Sequence, residues 1–139
     1  MPAFVYWKGH LTPRKVVEPM HVVDWMPTLC HVAGYRSGAD LKWDGRNIWP
    51  ILTGTADGPD DRTLYRQGVG RRSATIRSGD WKLVVHRRKN EVTRELYNLA
   101  SDPSETADLA GQHPERVDAL EELLVAEEAR DNDTVPTAE

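Results

Sequence analysis

The 139-residue sequence holds a single cysteine, Cys30, so no disulfide can close within it and no Cys-X-X-Cys pair is present to grip a metal. No apolar run approaches the roughly 20 residues that a membrane-spanning helix needs. The opening residues, Met1-Pro2-Ala3-Phe4, have neither the basic start nor the apolar length of a secretory leader. A glycine-rich phosphate loop, a Gly-X-Ser-X-Gly elbow and a His-Glu-X-X-His helix are all missing. Cations are outnumbered: 18 Lys and Arg against 22 Asp and Glu leave a net charge of -4. That balance argues against a nucleic-acid partner, because phosphate backbones are met by clustered positive charge.

What is present points to many turns and a modest core. Hydrophobic residues make up 39% of the chain and charged residues 29%, with ten glycines and nine prolines. A single domain is the default at this length, but the composition leads us to expect part of a larger unit. Five histidines, His10, His21, His31, His86 and His113, are scattered over different segments. No two stand at a spacing that would make a metal site, and His31 reads as an ordinary surface or packed residue. Acid pairs such as Asp60-Asp61 and Glu121-Glu122 read as solvated charges, as does the basic run Arg87-Arg88-Lys89.

The clearest structural signal is Ala74 to Val85. Ala74 and Ile76 alternate with polar neighbours before Ser78-Gly79-Asp80, and Trp81, Leu83 and Val85 alternate after it. Period two predicts a hairpin with one buried face, and Gly79 supplies the positive φ that a tight connection requires. Thr63-Leu64-Tyr65-Arg66 and Glu95-Leu96-Tyr97-Asn98-Leu99 add two more strands, giving a small four-stranded antiparallel sheet. Val117, Leu120 and Leu124 then repeat on one helical stripe after Pro114. Trp81, Leu83 and Val85 are expected to face that closing helix.

The first part of the chain is less regular. Pro2 to Trp7 is almost wholly apolar and predicts a strand covered on both faces, which suggests that the sequence enters in the middle of a fold. A loop from His10 to Met20 leads to a short helix with Asp24 as N-cap, Pro27 at its third position and Gly34 at its end. Trp25, Met26, Leu29 and Ala33 would share its apolar face. Ile48, Trp49, Ile51 and Leu52 predict one helical turn docked on a core. Gly58-Pro59-Asp60-Asp61 reads as a linker, Asp102-Pro103-Ser104-Glu105 as a helix start, and Asp131 to Glu139 as a frayed tail.

Taken in order, several segments resemble one family. They are Val5-Tyr6-Trp7, His21 to Leu29, Trp43-Asp44-Gly45 leading to Leu52-Thr53-Gly54, Arg77 to Val84, and Glu95 to Leu99 followed by Asp102 to Thr106. Together, across residues 2 to 125, they are similar to the C-terminal end of a sulfatase, nearest in character to the arylsulfatase B-like type. The resemblance implies an alkaline-phosphatase-like α/β fold, α+β within this stretch. Residues 1–58 would close the large α/β domain with a strand, a helix and a loop. Residues 59–128 would form a small antiparallel-sheet domain packed with a C-terminal helix, and 129–139 a flexible tail.

The family hydrolyses sulfate esters with a formylglycine nucleophile made from cysteine or serine, assisted by calcium and cationic side chains. The resemblance places all of these ahead of residue 1. Cys30 is followed by Val32 and Gly34 where the modification motif has proline or alanine and then arginine, so it does not match. No catalytic, cofactor-binding or metal-binding residue is therefore assigned, and no cofactor is expected in this chain. The complete enzyme would act on a sulfated small molecule or glycan, with no nucleic acid and no membrane, and its N-terminal sulfatase portion would be the missing partner. Export to a periplasmic, extracellular or lysosomal space is the family habit. Two other readings stay open: a decayed fragment, or a non-catalytic module that meets anionic sugars through Arg71, Arg72, Arg77 and Lys82.

Overall fold

The computed structural model describes residues 3–58, 62–89 and 91–130. The chain divides into two compact units, residues 1–59 and 60–139. The linker expected at Gly58-Pro59-Asp60-Asp61 lies outside the described residues apart from Gly58, and the stretch from Asp131 to Glu139 lies outside them entirely.

The second unit is a four-stranded antiparallel meander, ordered β1-β2-β3-β4, with one long helix on one face. The strands are β1 (Thr63–Gln67), β2 (Ser73–Ser78), β3 (Trp81–Arg88) and β4 (Glu91–Asn98). The β2–β3 connection has two central residues, Gly79 and Asp80, with Ser78 paired to Trp81. Gly79 has φ 56°, and a positive φ at the first central position is what a type II′ hairpin demands. The register sets Ile76 opposite Leu83, and Leu83 opposite Leu96. All three are fully buried, as the period-two pattern requires.

Helix α3 (Pro114–Arg130) lays Val117, Leu120 and Leu124 onto that face, completing a core with Ala74, Ile76, Leu83, Val85 and Leu96. Trp81 is half-buried at the rim of this core. The ring of His113 meets it edge-on at 5.3 Å, and the guanidinium of Arg116 lies 4.7 Å over it. Charged residues on the helix-facing side reach the flank of α3. Arg87 makes a bidentate bond to Glu128 (2.7 and 3.0 Å), and Arg94 makes another to Glu121 (2.7 and 2.8 Å). That bond to Glu121 raises the pKa of Arg94 above its ordinary value. The helix runs through Arg130, two residues into the expected tail, with Glu128 anchored by Arg87 in its last turn.

The segment at Asp102-Pro103-Ser104-Glu105 does not start a helix. The Asp102 carboxylate accepts the N–H of Thr106 (2.7 Å) and of Ala107 (2.9 Å), beyond the reach of a helix cap on the first turn. Glu105 sits at φ 56°, which helical backbone forbids. The resulting loop serves as a cover: Leu109 donates its N–H to the Leu96 carbonyl and Asp108 accepts the Leu96 N–H at 2.9 Å, closing part of the free edge of β4.

The first unit has less regular structure. A 3₁₀ turn (Val22–Asp24) runs into α1 (Trp25–Val32), and α2 (Trp49–Thr53) follows after a long loop. Ala3 to Trp7 does not form the expected strand. It carries no strand pairing, and Phe4 and Tyr6 are 92% and 77% exposed. A strand needs a neighbour to satisfy its N–H and C=O groups, and this unit offers none among the described residues. The apolar face expected for α1 turns inward only at Trp25, which packs on the cluster of Ile48, Ile51 and Leu52. Asp24, Pro27 and Thr28 are buried, whereas Met26 and Leu29 are 61% and 59% exposed.

The reason is a polar staple. Asp24 stands at the N-cap position of α1 but makes no capping bond to that helix. Its carboxylate accepts the N–H of His21 at 2.7 Å and of Arg46 at 3.0 Å, while Thr28 Oγ1 accepts the N–H of Ile48 at 2.9 Å. Buried polar groups must be paired, so these bonds dictate which side of α1 turns inward. They tie the helix to the loop that leads into α2, where Ile48, Ile51 and Leu52 are buried. Gly45 lies on that loop. A Cβ there would come within 2.0 Å of the Val23 carbonyl oxygen, so only glycine fits. Gly34, at φ 71°, ends α1 as expected.

Candidate functional site

The four cations singled out by the sequence separate into two places. Arg71 and Arg72 lie exposed in the β1–β2 connection, Arg71 with φ 56°. Arg77 and Lys82 sit five or more residues further along the hairpin, on β2 and β3. With a rise of roughly 3.3 Å per residue, Arg72 and Arg77 stand about 16 Å apart along the strand. The structure thus brings Arg77 and Lys82 together and leaves Arg71 and Arg72 at the far end of the sheet.

Arg77 and Lys82 are directly opposite in the β2–β3 register. Ile76 and Leu83 point into the helix-covered core, so their neighbours Arg77 and Lys82 project from the other face. Like charges facing each other across strands are unfavourable. Two contacts offset this. Lys82 Nζ is ion-paired with Glu105, and Arg77 Nε donates to the Gly79 carbonyl at 2.9 Å. Glu105 is therefore a site residue that sequence reading places elsewhere, at the third position of a helix that does not form. Its left-handed backbone is what aims it at Lys82.

Further along the same face, Tyr97 lies opposite Lys82 on β4. Its hydroxyl donates to Glu95 Oε2 at 3.0 Å, and His86 Nε2 lies 3.7 Å from the same oxygen. Burial first, and the bond to the Glu95 carboxylate second, push the Tyr97 phenol up to about 12. Tyr97 is thus a fixed hydrogen-bond donor at neutral pH and cannot act as a base. The face as a whole is an arrangement of paired charges that can hold an anion or a polar surface.

In the first unit, an open cleft of about 270 Å³ is lined by Pro27, Cys30, His31, Tyr35, Lys42 and Trp43 among others. Cys30 is half-buried there and His31 is exposed. No signal in the sequence anticipated this cleft, because its lining comes from α1 and from an irregular loop. Among the described residues, no three His, Cys, Asp or Glu side chains come together to hold a metal ion. The donor set that calcium would require is not assembled by them, so no chemical step is routed through it. No helix among them is long and apolar enough to cross a membrane.

Comparison with known proteins gives this arrangement a setting. The chain is similar to human arylsulfatase A, with 27% identity over 148 aligned positions that cover 88% of this chain and 29% of that protein. Its fold matches a putative sulfatase of Bacteroides fragilis with a TM-score of 0.72 at 18% identity, covering 92% of this chain and 29% of that one. It also matches a structure solved in complex with its substrate D-glucosamine-2-N,6-O-disulfate, with a TM-score of 0.59 at 22% identity, covering 81% of this chain and 24% of that one. No protein-family model matches. The chain spans less than a third of the length of the curated relatives it matches.

Proposed function

We propose that this chain is the C-terminal portion of a sulfatase with an alkaline-phosphatase-like fold, supplying architecture to an enzyme that hydrolyses sulfate esters and having no turnover alone; its likeness to sulfatases in sequence and in fold supports the reading. One observation carries this reading. The likeness runs over nearly the whole chain yet over less than a third of each relative, and the face that could meet substrate holds cations. In this reading calcium and formylglycine belong to the remaining portion of a sulfatase. Of the four cations, Arg77 and Lys82, which stand together, are contacts for anionic groups of the substrate, and Lys82 is already half-satisfied by Glu105.

The reaction that this assembly would serve transfers a sulfuryl group to water, and negative charge develops on the leaving oxygen. The chain's own residues can contribute binding and orientation to it. Arg77 is the stronger candidate of the hairpin pair, because among the described residues it has no carboxylate partner while Lys82 does.

The test is an assay of 4-nitrophenyl sulfate hydrolysis. The purified 139-residue chain is expected to show no turnover above buffer. Joined behind a polypeptide that carries a formylglycine-modification motif and the rest of a sulfatase, it is expected to support hydrolysis that a chelator abolishes. Chelator-sensitive turnover by the chain alone would overturn the reading.

A further inference from the structure

One end of the sheet gathers cations that the sequence keeps apart. Arg66 is next to last in β1, Arg71 and Arg72 lie in the connection to β2, Arg88 ends β3, and Lys89 follows it. Pairing of β2 with β3 sets Ser73 opposite His86, and Arg87 donates its backbone N–H to the Arg72 carbonyl at 2.8 Å. Arg71-Arg72 and Arg88-Lys89, well separated in the chain, are thereby neighbours in space.

These five side chains are exposed, and among the described residues none makes an ion pair. Elsewhere in the unit Lys82, Arg87, Arg94 and Arg130 each have a glutamate, Arg77 bonds a carbonyl and Arg116 lies over the Trp81 ring. Glu91 lies opposite Arg88 in the register without closing on it. In a chain of net charge -4, an uncompensated cluster of this kind carries self-repulsion that a bound polyanion would remove. The backbone adds a second sign. Arg71 holds a left-handed φ of 56°, a conformation that costs a non-glycine residue free energy and is concentrated at functional loops.

We propose that this end of the sheet binds a sulfated polysaccharide along its sulfate groups, as an anchoring surface separate from Arg77 and Lys82. The choice of polymer rests on the sulfatase reading. Nucleic acid is the weaker fit, because single strands are held by exposed aromatic rings that stack on bases. Of the aromatic residues described in this unit, Tyr65 packs on the core and Trp81 and Tyr97 lie toward the opposite end.

Fluorescence anisotropy of the full chain with labelled dextran sulfate, neutral dextran and single-stranded DNA of matched charge decides the matter. Dextran sulfate should bind, neutral dextran should not, and DNA should bind less tightly. The double variants R71Q/R72Q and R88Q/K89Q should each weaken dextran sulfate binding by about tenfold and flatten its salt dependence. A charge-matched control in the other unit, K15Q/R36Q, should stay within about twofold. Equal binding of neutral dextran, equal loss in the control, or a preference for DNA would each overturn the proposal. Binding requires no hydrolysis, so failure here leaves the sulfatase reading to be tested independently by the sulfate-ester assay. Unchanged thermal unfolding of the variants, all at exposed positions, rules out a folding defect.

Discussion

The two units are built on opposite principles. Residues 60–139 contain a core in which strand alternation, a glycine in the hairpin and a helical stripe all converge on the same eight buried apolar side chains. Among the described residues of 1–59, the buried apolar cluster consists of Ile48, Ile51 and Leu52. Their organising element is the polar pair Asp24 and Thr28, and Met26 and Leu29 on α1, like Phe4 and Tyr6, face outward. The difference teaches that one short chain can hold a self-consistent module beside a segment whose apolar surface is left without cover. Exposed apolar surface of this kind is what protein–protein contacts draw on.

The comparison can be broken most directly at Leu83, fully buried at the middle of the sheet. Leu83→Ala is expected to cost about 4 kcal/mol. In urea titration followed by amide NMR, the resonances of the second unit should lose their native positions well before the wild type does. A loss below about 1 kcal/mol would mean that this core is not the close-packed module described.

A smaller effect is expected at Asp24. Asp24→Ala removes the acceptor for the N–H groups of His21 and Arg46, and hydrogen bonds to a carboxylate are worth on the order of 1.5–3 kcal/mol. Hydrogen exchange should show protection lost at the Arg46 and Ile48 amides while that of Leu83 and Leu96 is kept. Uniform loss across both units would show that the staple is not local.

The smallest effect should come from the outward face of α1. Met26→Ser with Leu29→Ser is expected to change unfolding free energy by less than about 0.5 kcal/mol, since both side chains already face water. Exposed Met26 and Leu29 are expected to promote self-association of the chain, and sedimentation velocity should show less of it in the variant. Unchanged association together with marked destabilisation would place these residues in a core after all.

Much of the second unit was legible in the residue pattern because strands and amphipathic helices carry their periods there. Ala74, Ile76, Leu83 and Val85 alternate, and Val117, Leu120 and Leu124 repeat at helical spacing. The departures came where a polar side chain had a choice of partner. Asp24 and Asp102 both look like helix caps. In the fold, one accepts an amide 22 residues away, and the other accepts the amides of Thr106 and Ala107 to shape a loop. That loop bonding also holds the Asp102 carboxylate below its usual pKa, with the Ala107 amide as the largest cause. Ala3 to Trp7 has the composition of a buried strand, but composition cannot provide the neighbouring strand that would complete it.

By itself the sequence determined the meander, its hairpin, its closing helix and the likeness to sulfatases, because these rest on local periodicity and on ordered short segments. It also determined that Cys30 stands outside a formylglycine motif. Only the tertiary structure decided that Arg77 faces Lys82, that Glu105 answers Lys82, and that Arg71 and Arg72 join Arg88 and Lys89 at the other end of the sheet. The physical reason is that side-chain alternation is written along one strand, whereas juxtaposition depends on register between strands and on backbone conformations, such as the left-handed Glu105, that no pattern of residue types announces.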